Sequence, residues 1–129
     1  MMSPLPSFAR ADATSSNLKL PPLDPGIKLP LAASVVLSVL SGPSKGETHT
    51  LTKPRVILGR TGADIVLNDG EISRNHCLLE VRDTFINMKD LESTNGTFYD
   101  EERVRAAVLR DGTEFRIGMS TIRVNFLPK

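Results

Sequence analysis

The sequence has little with which to build covalent or metal chemistry. Its 129 residues include one cysteine, Cys77, and two histidines, His49 and His76. A single cysteine excludes an internal disulfide, which suits a reducing compartment. These three side chains are the only soft metal ligands, and their spacing matches no zinc motif, so neither metal nor cofactor is expected. Charge of one sign is also lacking: 16 basic residues stand against 15 acidic ones, for a net charge of +1. No global field draws in nucleic acid or a membrane surface, and the arginines between Arg103 and Arg123 are interleaved with acids as on a solvated face. The longest apolar run, LPLAASVVLSVL at 29–40, is too short to span a bilayer and contains a proline. No basic start followed by a long apolar segment marks a secretion signal. These absences predict a soluble, cytoplasmic chain of one domain.

What the chain does have is a change of character near Ser34. Residues 1–33 hold six of the nine prolines, mixed with Ser, Ala and Asp without period. Such a segment buries too little apolar surface to offset its ordering entropy, which predicts a disordered N-terminal tail over 1–33 and a folded domain over 34–129. The domain reads as short β-rich runs: VVLSVL, THTL, RVILGR, DIVL, HCLLEV, TFINM, EFRIG and TIRVNFL. Turn chemistry such as NDG, STNG and RDG separates them. In TIRVNFL, Ile122, Val124 and Phe126 share one face, the period of two of a half-buried strand. Many short strands at close spacing predict an all-β fold, an antiparallel sandwich or barrel. One stretch dissents: DEERVRAAVL at 100–109 has early acids, alanines and no breaker, so propensity alone favours a helix. Its length is marginal without packing support, and a helical turn there is the minority option beside strand.

The densest chemistry lies in EISRNHCLLEV, residues 71–81. His76 and Cys77 are adjacent at the start of a predicted strand, so their side chains point to opposite faces and cannot form a nucleophile–base dyad. Cys77 opens an apolar run and reads as a small buried hydrophobe. An anion clamp is the surviving chemistry. Ser73 and Arg74 follow the turn-like NDGEI. A second polar loop, LESTNGTF at 91–98, surrounds Asn95-Gly96 with hydroxyls, and this pair suits the positive φ of a tight hairpin turn. Gly59-Arg60 ends a third apolar run with a cation.

The order and spacing of these elements resemble the forkhead-associated (FHA) domain. The resemblance rests on Gly59-Arg60, Asp64 to Leu67, Ser73-Arg74-Asn75-His76, Ser93 to Phe98, Leu109 to Gly112 and Phe115 to Gly118. It runs from about Val35 to Leu127. It implies an antiparallel β-sandwich of about eleven strands, whose loops at one end bind phosphothreonine peptides. It further implies that Arg60, Ser73 and Arg74 contact phosphate, that Thr94 reaches the phosphothreonine, and that Asn95 holds the peptide backbone. Gly59, His76 and Gly96 are then architectural. The chemistry is coherent, since arginine offers a fixed fork of donors to a phosphate with nearly two negative charges.

A phosphothreonine-binding module, not an enzyme, working with a Ser/Thr protein kinase is therefore the expected function. A phosphate-independent adaptor or scaffold is the alternative, followed by a Cys- or Ser-based hydrolase. Two finer expectations accompany it. Glu71, two residues before Ser73, is a candidate specificity residue that repels acids following the phosphothreonine. Thr14, the one threonine of the tail, is a candidate for phosphorylation and intramolecular binding to the pocket.

Overall fold

The computed structural model describes residues 20–129. The expectation for Thr14, and for the first nineteen residues of the tail, lies outside the described residues.

Alternating apolar residues produce eleven short strands: β1 (Ala33–Val39), β2 (Thr48–Thr50), β3 (Arg55–Gly59), β4 (Ile65–Val66), β5 (Cys77–Val81), β6 (Ile86–Asp90), β7 (Thr97–Tyr99), β8 (Glu102–Val104), β9 (Ala106–Leu109), β10 (Glu114–Ile117) and β11 (Ser120–Pro128). They form two sheets, in the orders β2-β1-β11-β10-β7-β8 and β4-β3-β5-β6-β9. The inward positions supply a single core that includes Val35, Leu37 and Val39 of β1, Leu58 of β3, Leu79 of β5, Met88 of β6 and Ile122 and Val124 of β11. Cys77 belongs to this core, as its place in an apolar run predicts. No helix of the described residues is long and apolar enough to cross a membrane.

Three local expectations change. The stretch 100–109 is not helical: it forms β8 and β9, paired with β7 and β6. Ten residues of modest helix propensity give a marginal helix, and two sets of ladder hydrogen bonds outweigh that preference. Residues 20–32, assigned to the tail, pack against the sandwich in part. Ile27 is buried and Lys28 donates its amide to Val81 O at 3.0 Å, while Arg82 reaches both carboxylate oxygens of Asp24 at 2.9 and 3.1 Å. One apolar anchor and a few backbone bonds suffice where the chain need not fold by itself. Finally, β4 pairs with β3 in parallel, with Leu58 opposite Ile65. Asp64 fastens the short connection by accepting the Ile57 amide at 2.8 Å.

The β7–β8 hairpin has a two-residue turn, Asp100-Glu101, with φ values of 52° and 63°. Two successive left-handed residues are the signature of a type I′ turn, which matches the right-handed twist of the strands. Glutamate carries a Cβ that resists this conformation, and glycine does not. Replacing the pair by Asn-Gly is therefore expected to raise stability by about 1 kcal/mol, read as a higher urea midpoint at unchanged m-value. A lower midpoint would contradict the turn assignment.

Candidate functional site

One end of the sandwich is built by three segments: the end of β3, the loop from β4 to β5, and the loop from β6 to β7. The first two touch through backbone. Arg60 N donates to Ser73 O at 3.0 Å, and His76 N donates to Leu58 O at 2.8 Å. The loop passes so close that a Cβ on Gly59 would lie 1.6 Å from Arg74 O. Only glycine leaves room for that approach, which fixes where Ser73 and Arg74 stand relative to Arg60.

The third segment is joined through His76, which is fully buried. Its Nδ1 accepts the Ser73 amide at 3.0 Å, and its Nε2 lies 2.9 Å from Gly96 O. A backbone amide can only donate and a carbonyl can only accept. The imidazole is therefore neutral, with its proton on Nε2. Burial holds its pKa below the ordinary histidine value, opposed by the Gly96 carbonyl and by the charges of Asp90 and Asp69. Gly96 itself has a φ of 93° and is pressed under Arg103, whose Nε would lie 2.6 Å from an added Cβ. Asn95-Gly96 is not a hairpin turn, since β6 and β7 lie in different sheets. Its loop crosses the edge of the sandwich, which carries Thr94 and Asn95 over to the Ser73 loop.

Two buried or half-buried aspartates brace these loops from below, and sequence reasoning did not single them out. Asp69 accepts the Glu71 amide at 3.0 Å, the Met119 amide at 2.8 Å and the Ser120 hydroxyl at 2.7 Å. Asp90 accepts the Ser93 hydroxyl, the Ser93 amide at 3.1 Å and the Thr97 hydroxyl at 2.8 Å. Burial acts to raise the Asp90 pKa, but these bonds from Ser93 and Thr97 hold the carboxyl below the usual carboxylate range. The Ser93 hydroxyl passes the support on by accepting the Gly96 amide at 3.0 Å. Asp69 stood in NDG and read as a turn residue. Asp90 carried no motif, although an aspartate three residues before a serine is the spacing of a local side-chain-to-backbone cap.

On this frame, Arg60, Glu71, Ser73, Arg74, Thr94 and Asn95 line one open depression. Ser73 Oγ accepts the Thr94 amide at 3.0 Å, which leaves the hydroxyl proton for another acceptor. Arg60 Nη1 donates to Ile72 O at 3.3 Å, so part of its fork is steadied while the rest is free to bond. The Arg74 guanidinium has no hydrogen-bond or ion-pair partner among the described residues. Asn95, expected to hold a peptide backbone, also has a structural task, since its Nδ2 donates to Glu71 O at 2.9 Å. One amide hydrogen and the amide oxygen remain for a ligand. Gly59, His76 and Gly96 are buried beneath the lining side chains.

Covalent chemistry has no foothold at Cys77. The thiol is fully buried, and that burial pushes its pKa far up, with the Asp90 charge adding to the effect. His49 lies in β2, where it pairs with Glu47 at 3.1 Å and is not among the lining residues. Among the described residues no group of three or more His, Cys, Asp or Glu side chains is arranged to hold a metal ion.

The family described as the inner membrane component of T3SS, cytoplasmic domain, matches residues 38–126 and is an FHA-type domain. The glycogen accumulation regulator GarA of Mycobacterium tuberculosis is 33% identical over 118 residues, which cover 91% of this chain and 68% of GarA. The chain is an FHA-domain protein. The FHA domain of FhaA, solved in complex with the intracellular domain of Rv3910, is 33% identical, with a TM-score of 0.63 over 71% of this chain and all of that one. A solved FHA domain described by its phosphothreonine-dependent interactions is 33% identical, with a TM-score of 0.66 over 74% of this chain and 99% of that one. FHA homologues such as GarA are binding or regulatory proteins.

The His76 bridge sets a pH dependence. The unfolded chain binds a proton at the ordinary histidine pKa, whereas the folded chain excludes it to lower pH. The contribution is complete above pH ~6.5 and is lost as pH falls below that value. Asp90, with its lowered pKa, contributes above ~3.8, so its loss comes later on acidification. Urea denaturation at pH 7.5 and 5.5 should show lower stability at pH 5.5 in the parent chain and in His49→Gln alike. Equal stability at the two values would contradict a neutral, buried His76.

Proposed function

We propose that the depression binds phosphothreonine within an extended segment of a partner protein phosphorylated by a Ser/Thr kinase. The observation that carries this reading is the convergence of two arginines, a free hydroxyl proton and an unsaturated amide on loops whose backbone is already hydrogen-bonded. Arg60 and Arg74 supply donors in fixed forks, matched to the three oxygens of a phosphate. Ser73 and Thr94 add small donors, and Asn95 offers both ends of its amide to an extended peptide. This is phospho-motif recognition, in which arginine carries the charge and short polar groups carry the orientation.

The magnitudes suit reversible binding. Two charge-assisted contacts and two neutral ones amount to roughly 5–8 kcal/mol before costs. Association and peptide ordering consume several of these, and contacts from flanking residues restore some. The result is weak, readily reversible binding, with flanking contacts deciding how far it reaches into the micromolar range. Glu71 stands at the rim on the Ser73 loop and is exposed. A carboxylate there disfavours acidic peptide residues that lie against it and favours basic or apolar ones.

Calorimetric titration tests the reading with one peptide in phosphothreonine, phosphoserine and unphosphorylated forms. Micromolar binding is expected for the first, weaker binding for the second and none for the third. Arg60→Ala should weaken phosphothreonine binding about 10- to 100-fold. Glu71→Gln should leave a neutral peptide unaffected and improve one with acids after the phosphothreonine. Equal binding of phosphorylated and unphosphorylated peptides would contradict the proposal and favour a phosphate-independent adaptor.

A further inference from the structure

Beside the depression lies a second cleft, lined by Lys89, Asp90, Glu92, Ser93, Arg103 and Arg105 together with Val104. Its position follows from the topology. Strand β8 belongs to one sheet and β9 to the other, so the chain changes sheet at Arg105. The Asp90 amide donates to Arg105 O at 2.8 Å, which pins this crossing to the end of β6, one residue beyond Lys89. Three cations from three places in the chain thereby meet at one corner. Glu92 lines both this cleft and the depression.

The charges of this corner are unevenly engaged. The Asp90 carboxylate is occupied by Ser93 and Thr97. Lys89, Arg103 and Arg105 are exposed and enter no ion pair among the described residues. Arg103 makes one long contact, 3.5 Å, to Ser93 O, and its stem lies over Gly96, so it stands at the join between cleft and depression. Other exposed cations divide: Lys53 pairs with Asp64 and Arg123 with Glu114, whereas Lys28, Lys45 and Arg74 enter no ion pair among the described residues. What sets this corner apart is that three such cations line one cleft. They outnumber the two carboxylates of this corner, which are Asp90, occupied by Ser93 and Thr97, and the exposed Glu92 on the shared wall. The cleft therefore keeps a net positive charge beside the depression.

We propose that the cleft of Lys89, Arg103 and Arg105 binds an anionic segment of the same partner peptide that presents its phosphothreonine to Arg60 and Ser73. The inference rests on the phosphothreonine reading and adds a second contact region to it. Carboxylates and a second phosphate share the required chemistry, which is several acceptor oxygens with negative charge. Together with Glu71 on the other loop, the cleft makes the binding end polar. Peptides with acids on the cleft side and none on the Glu71 side are selected, mainly through association rate and in a salt-dependent way.

The experiment uses the full chain and five phosphothreonine peptides: one with neutral flanks, two with three aspartates on either side, and two with a phosphoserine on either side. Lys89→Gln/Arg105→Gln is the diagnostic variant, because neither side chain makes a hydrogen bond or ion pair with the loops that carry Arg60, Ser73 and Thr94, and the backbone bond from Asp90 to Arg105 O is kept. Acids or phosphate on one flank should tighten binding about three- to tenfold at low salt. The gain should shrink in 0.5 M NaCl and vanish in the double variant, while affinity for the neutral peptide stays the same. A gain from aspartates identifies carboxylates as sufficient, and a gain from phosphoserine alone identifies a second phosphate as the ligand. No gain on either flank, or a gain that survives in the double variant, overturns the cleft proposal and leaves the phosphothreonine reading intact. Failure of the neutral phosphothreonine peptide to bind overturns both.

Discussion

A single neutral imidazole organises the binding end of this domain. His76 accepts a hydrogen bond from the Ser73 amide on one ring nitrogen and donates one to the Gly96 carbonyl from the other. Those two residues belong to different loops, one joining β4 to β5 within the five-stranded sheet and one crossing from β6 to β7 in the other sheet. No other side chain of similar size accepts and donates along one fixed line in a buried space. The position is costly to alter, because a buried group that loses either bond strands a backbone amide or carbonyl away from water. Burial and geometry demand the same protonation state, which makes the bridge self-consistent.

The site then divides into a frame and a surface. Frame residues are buried and saturated with hydrogen bonds: Gly59 under Arg74, Asp69 under the Glu71 loop, and Asp90 and Ser93 under Gly96. Surface residues are exposed and underused: Arg60, Arg74 and Thr94. Such a separation is what preorganised recognition requires, since the cost of fixing the loops is met during folding and not during binding. The neighbouring cleft follows the same plan. The backbone of Arg105 is tied to Asp90, while its guanidinium and that of Arg103 are left facing solvent.

Much of this was legible in the sequence, and the reasons are physical. The period of two in TIRVNFL and RVILG fixes faces, because one-residue slips would put Ile122 or Leu58 in water. Five residues of the depression's lining, Arg60, Ser73, Arg74, Thr94 and Asn95, stand in motifs that are ambiguous alone and point to one place only by their order. What escaped depends on contacts distant in sequence. Residues 100–109 look helical until β6 and β7 are available as partners. Asn95-Gly96 looks like a hairpin turn until its flanking strands are assigned to separate sheets. Ile27 and Lys28 look like part of a tail until the core offers Ile27 a place and Val81 O, at the end of β5, accepts the Lys28 amide. Asp69 acts through an amide and a hydroxyl some fifty residues away, which no local pattern announces, and the spacing of Asp90 to Ser93 is the one local hint.

The His76-bridged pair of loops is proposed to offer phosphothreonine a ready-made site. Amide chemical shifts of isotopically labelled chain, followed during titration with a phosphothreonine peptide, test it directly. Large, saturable shifts are expected at the amides of Arg60, Ser73, Arg74, Thr94 and Asn95. The core amides of β1 and β11 should scarcely move, and the unphosphorylated peptide should have no effect. Shifts confined to another face, or the same shifts with unphosphorylated peptide, would contradict it.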